Sequence, residues 1–94
     1  MSITFRKGAT KRVAIELWQG KPDVSPRLVP NAVRIGAHNL PATPPINALA
    51  GTDGEIHFTR AISDACVVGT AYWFELAFDV GDDTDIVRYP VEVT

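Results

Sequence analysis

The feature that most constrains this chain is a run of strict alternation near its C-terminus. In Thr70-Ala-Tyr-Trp-Phe-Glu-Leu-Ala-Phe-Asp-Val80 every even position from Tyr72 to Val80 is large and apolar. In Ile86-Val-Arg-Tyr-Pro-Val-Glu-Val-Thr94 the positions Val87, Tyr89, Val91 and Val93 are apolar, with Arg88 and Glu92 between them. Gly81-Asp-Asp-Thr-Asp85 separates the two runs. Successive side chains of a strand point to opposite faces, so alternation on both sides of a Gly/Asp turn predicts a hairpin with one face buried. Pro90 adds a constraint: without an N–H it cannot donate to a ladder, which places the last strand at a sheet edge or at a bulge. An edge is also where another chain can dock.

The rest of the chain reads the same way. Ile3 to Phe5 is a short strand closed by Lys7-Gly8. Thr10 to Trp18 is a second strand, with Val13, Ile15 and Leu17 on one face and Arg12, Ala14, Glu16 and Trp18 on the other. Six of the seven prolines lie between positions 22 and 45, which excludes a block of central strands there. Within that segment only residues 31–39 alternate, through Val33, Ile35 and Ala37, so one strand is expected between two long loops, residues 23–30 and 40–53. Gly51-Thr-Asp-Gly54 is expected to turn into a strand over residues 55–60, with Ile56 and Phe58 inward. Residues 61–68 read either as a helical turn beginning near Ser63 or as a connection between sheets. Six or seven short strands, no long amphipathic helix and no internal repeat predict an all-β chain. The expected fold is a single domain over residues 1–94, a small antiparallel immunoglobulin-like β-sandwich. The alternative is a small OB-like barrel.

Composition narrows function mainly by exclusion. A net charge of −2 disfavours general nucleic-acid binding, which needs a basic surface to neutralise phosphates. The single cysteine, Cys66, rules out an intramolecular disulfide framework or a Cys-rich zinc site. No apolar run approaches the roughly 20 residues that span a bilayer. The first eight residues lack the apolar core of a signal peptide, so the expected location is cytoplasmic. Charge is divided unevenly: residues 1–47 hold seven Lys/Arg and two acids, net +5, and residues 48–94 hold two Lys/Arg and nine acids, net −7. Either the strands of the two halves interleave and mix these charges, or a basic and an acidic edge favour head-to-tail contacts between copies.

Candidate chemistry is sparse. Asp79, Asp82, Asp83 and Asp85 cluster at the last turn and offer oxygen ligands of the kind calcium takes, but the spacing is not that of an EF-hand. Asp and Gly are also what a hairpin turn requires on conformational grounds, so a solvated turn is the simpler reading and no metal or other cofactor is expected. His38 and His57 alternate with apolar neighbours and are expected at the surface. Cys66, beside Val67 and Val68, reads as a small buried hydrophobe. Ser63-Asp64 is not a nucleophile elbow, because no Gly-x-Ser-x-Gly is present. No catalytic residue is assigned and an enzyme is not expected. Trp18 and Trp73 stand out, because the parity that buries Leu17 and Phe74 turns both tryptophans to the other face. There they mark a contact surface together with Arg88 and Glu92, unless loop residues from the proline-rich segment fold over them or a bulge switches the parity.

The opening Ile3-Thr-Phe-Arg-Lys-Gly-Ala-Thr-Lys-Arg-Val-Ala-Ile-Glu-Leu17 resembles the start of immunoglobulin-like modules in phage tail and baseplate proteins. Asn31-Ala-Val-Arg-Ile35 resembles the next core strand of those modules. Gly54-Glu-Ile-His-Phe58 and Gly69-Thr-Ala-Tyr72 resemble later segments (the second a Gly-x-x-Tyr just inside a long strand), and Arg88-Tyr-Pro-Val-Glu-Val93 resembles their closing strand. The chain departs from that pattern where Asp23-Val-Ser-Pro26 stands in place of the usual Asp-Leu step, and its third segment is richer in proline. The resemblance implies a non-enzymatic structural module of a phage or prophage virion, in tail, baseplate or neck. Its partners would be proteins, either further copies of itself in a homo-oligomer or a larger structural protein, and not nucleic acid or membrane. The alternative is a small module that binds carbohydrate through the tryptophans or calcium through the aspartates.

Overall fold

The computed structural model describes residues 2–50 and 53–94. Among these are seven strands, β1 (Ile3–Phe5), β2 (Lys11–Glu16), β3 (Ala32–His38), β4 (Ile46–Ala50), β5 (Asp53–Phe58), β6 (Ala71–Val80) and β7 (Asp83–Val93), and one short helix, α1 (Arg60–Ala65), between β5 and β6. The strands form two sheets, ordered β1-β7-β6-β3 and β2-β5-β4. No ladder joins the two sheets among the described residues, so the chain is a two-layer all-β structure and not a closed barrel.

Alternation sets which face each strand buries. In β6, Tyr72, Phe74, Leu76 and Phe78 are buried, and in β7 Val91 and Val93 are buried. β5 contributes Ile56 and Phe58 and β2 contributes Ile15, with Leu17 just after it. The layers meet through aromatic rings. Phe58, from the three-stranded sheet, lies 5.2 Å from the Phe5 ring and 5.8 Å from the Phe74 ring, both from the four-stranded sheet. Phe74 in turn stacks on Tyr89 at 5.1 Å. Burying each large apolar side chain stabilises the fold by about 1.5–3 kcal/mol, before the entropy of ordering it.

The crossing from one sheet to the other is fixed by side chains. Thr59 caps α1, its hydroxyl accepting the Ile62 N–H. Ser63 is fully buried; its hydroxyl accepts the Gly8 N–H at 2.7 Å and donates to the Arg6 carbonyl at 3.2 Å, tying the helix to the β1–β2 turn. Gly8 takes a φ of 85°, a conformation that favours glycine. Past the helix, the Tyr72 hydroxyl accepts the Val67 N–H at 2.7 Å and sets the entry into β6.

Several expectations change. The 40–53 segment contains β4, an edge strand that pairs with β5 only after the last proline of the block, Pro45. Of the turn expected at Gly51-Thr-Asp-Gly54, Gly51 and Thr52 lie outside the described residues, while Asp53 and Gly54 are not a turn but the first residues of β5, paired with Glu16 and Ile15. The helix begins at Arg60 and not near Ser63, because Thr59 supplies its cap. β7 is not an edge strand throughout, since the three-residue β1 runs parallel to it from Val91 to Val93. The proline constraint holds locally: Pro90 is the last position before that cover begins. Val87, expected inward, is 39% exposed, because it lies on the stretch of β7 that β6 flanks on one side and no strand flanks on the other.

Candidate functional site

The last hairpin turns through only two residues, Gly81 and Asp82, between the paired Val80 and Asp83. Gly81 has a φ of 59° and Asp82 is not in the left-handed region, the pattern of turns that need glycine in first place. β7 then pairs with β6 along its full length, but its other side is covered only from Val91 onward. From Asp83 to Pro90 that side carries no strand among the described residues. The backbone groups directed there are unpaired, which makes the stretch a template for an added strand. Ile86, at the middle of it, is 61% exposed. Its parity with Arg88 puts it on the outward face, a signal present in the sequence but not used there.

Both tryptophans are half-buried, each beneath an arginine. The Arg88 guanidinium sits 3.8 Å from the centre of the Trp73 ring, reaching diagonally from β7 to β6. The Arg27 guanidinium sits 4.3 Å from the Trp18 ring. Arg27 comes from the proline-rich segment, which folds back on the end of β2 through an isolated bridge between Trp18 and Arg27 and through Leu28 N–H to the Leu17 carbonyl. It also pairs with Asp53 and donates to the Leu17 carbonyl. For Trp18 this is the alternative in which loop residues of the proline-rich segment fold over the indole, although nothing in the sequence singles out residue 27. A guanidinium over an indole contributes about 0.5–1 kcal/mol at an exposed site and occupies the face on which a sugar ring would stack.

The four aspartates do not act together. Asp79 is held by Arg34 across β3–β6 and by the Thr84 hydroxyl at 2.6 Å. The hydrogen bond from Arg34, then that from Thr84, keeps its carboxyl below the ordinary range. Asp82, Asp83 and Asp85 are exposed and make no ion pair among the described residues. No group of three or more His, Cys, Asp or Glu is close enough to hold a metal among the described residues.

The histidines are not plain surface residues. Both are half-buried, and His38 bonds Thr43 at 3.0 Å through Nε2 while its Nδ1 is buried without a partner. Cys66 is fully buried as expected; burial raises its thiol pKa, opposed by the charge of Lys7, whose ammonium donates to the Cys66 carbonyl at 2.8 Å. Glu92 is exposed and lines an open groove of about 320 Å³ with Ser2, Thr70, Ala71 and Pro90.

The charge asymmetry is resolved in part by pairing. The three ion pairs distant in sequence, Arg12–Glu55, Arg27–Asp53 and Arg34–Asp79, each join a cation of the first half to an acid of the second. Among the charges outside these ion pairs, Asp82, Asp83 and Asp85 lie together at the bare β7 edge and Lys11 opens β2. No protein-family model matches this chain, and neither does any curated protein or any solved structure.

Proposed function

We propose that this chain is a non-enzymatic, immunoglobulin-like module that works by protein–protein contact, as an accessory part of a phage or prophage virion. Two features support the immunoglobulin-like reading. Strands β7-β6-β3 and β2-β5-β4 partition as in such sandwiches, the third, sixth and seventh on one sheet and the second, fifth and fourth on the other, while β1 lies beside β7. Tyr72, at the start of the penultimate strand, takes a backbone N–H from the corner before it, the arrangement known as a tyrosine corner. The virion setting is supported by the resemblance of residues 3–17, 31–35, 54–58, 69–72 and 88–93 to tail and baseplate modules.

The observation that carries the contact reading is the bare side of β7 from Asp83 to Pro90, with Ile86 exposed at its middle. Main-chain hydrogen bonds to an added strand supply affinity there, and the side chains at alternate positions supply selectivity. Trp73, Arg88 and Glu92 lie on the adjoining outer face and form its rim; Trp18 follows β2 of the other sheet and is not part of that rim.

A photo-crosslinking amino acid placed at Ile86, in the cell that makes the chain, tests the reading. The expected result is a discrete adduct with a structural protein, either another copy or a larger assembly component. No adduct, or a smear over abundant unrelated proteins, would overturn it.

A further inference from the structure

We infer that the strand added at the bare β7 edge is the free edge of β2 from a second copy, laid parallel to it, so that copies join head to tail. This rests on the reading of β7 as the contact edge and names its occupant.

β2 lies at the outside of the three-stranded sheet and pairs on one side only, with β5. An open groove of about 320 Å³, lined by Ser2, Ile3, Thr4 and residues 11–14, runs beside its first half. The two edges match in extent. β2 is six residues long, and after Glu16 the chain turns away into the Trp18–Arg27 bridge. The bare stretch of β7 begins at Asp83 and ends where Pro90 withholds its donor and β1 begins its cover.

Charge selects both the partner and the direction. β2 opens with Lys11 and Arg12 and closes with Glu16; the bare edge opens with Asp83 and Asp85, next to Asp82 of the turn, and closes with Arg88. Laid parallel, the cationic start of β2 faces the three carboxylates and Glu16 faces the Arg88 end. Laid antiparallel, both ends set like charges together. Pairing β7 antiparallel with a second β7 sets the aspartate end of each copy against the single Arg88 of the other and leaves most of the carboxylates without a cation, whereas β2 brings both Lys11 and Arg12 to them. The Arg12–Glu55 pair does not stand in the way, because both side chains are exposed and such pairs contribute little. The contact is heterologous, so a joined pair keeps one unused edge at either end and assembly continues as a chain or closes as a ring.

Charge reversal tests this. Sedimentation velocity at low salt is expected to show wild-type protein associating with concentration, and the association is expected to weaken as salt rises. Asp83→Lys/Asp85→Lys and Lys11→Glu/Arg12→Glu each set like charges against each other and are expected to weaken association by about tenfold or more. An equimolar mixture of the two, and a single chain carrying all four changes, are expected to associate again. That rescue also shows that the variants are folded. The inference is overturned if the Lys11→Glu/Arg12→Glu variant associates like wild type, which is the outcome for β7–β7 pairing, or if wild type stays monomeric at the highest concentration reached. In the monomeric case an Ile86 crosslink to a different structural protein leaves β7 as a contact edge with another occupant, and the absence of any crosslink removes both readings.

Discussion

The hydroxyl of Tyr72 accepts the backbone N–H of Val67 at 2.7 Å, so the residue that opens the longest sheet ladder also closes the corner leading into it. Tyr72 is buried, and the N–H it satisfies belongs to a residue that is itself exposed. Tyr72→Phe keeps the ring packing and removes only the acceptor. The expected loss is about 1 kcal/mol, seen as a fall in Tm of about 4–8 °C for a domain of this size. A Tm unchanged within error would mean that water replaces the phenol without cost.

Ser63 is the larger risk to stability. Its hydroxyl serves the Gly8 N–H and the Arg6 carbonyl from a fully buried position. Ser63→Ala leaves both backbone groups without that partner and is expected to cost about 1–3 kcal/mol. Urea denaturation should report it as a lower midpoint at constant m-value. A midpoint equal to wild type would show that the β1–β2 turn is held by other contacts.

The acid limb of stability should depend on Asp79. Its folded pKa lies below the ordinary 3.8 because Arg34 and then Thr84 hydrogen-bond the ionised form. Between the folded and unfolded values the unfolded state binds more protons, so stability rises with pH there. The contribution is complete above the unfolded value and is lost as pH falls through the folded one. Glu55, lowered chiefly by its hydrogen bond from Arg12, acts in the same direction. Asp79→Asn should therefore flatten the dependence of Tm on pH below about pH 5. An unchanged slope would assign the acid sensitivity to other carboxylates.

Arg88 controls how much of Trp73 meets water. In a Trp18→Phe background, Arg88→Ala is expected to shift Trp73 emission to the red and to increase quenching by acrylamide. Loss of a cation–π contact at an exposed site costs about 0.5–1 kcal/mol, so the fold should persist. Emission unmoved by the substitution would mean that the indole is shielded by the sheet and not by the guanidinium.

Much of the fold was legible because it depends on side-chain periodicity, which is local. The inward sets of β2, β5 and β6 follow directly from alternation, and the β6–β7 hairpin follows from alternation around a Gly/Asp turn. β4 escaped notice because Ile46-Asn-Ala-Leu-Ala50 follows Pro44-Pro45 and does not alternate; its strand state comes from pairing with β5. The sequence parity turned Trp18 and Trp73 outward and was right about direction. It was silent on the arginines above them, because Arg27 arrives through a bridge between residues nine apart and Arg88 through a cross-strand diagonal.

What the chain alone determined is the class of structure: short alternating strands with one apolar face must stack that face on another sheet. Only the tertiary structure decided which sheet edges stay open. β1 is three residues long and covers β7 only from Val91 to Val93. That length leaves the stretch before Pro90 bare and gathers the unpaired aspartates beside it. Pairing between distant strands sets these limits, and strand pairing is a property of contacts that no local pattern encodes.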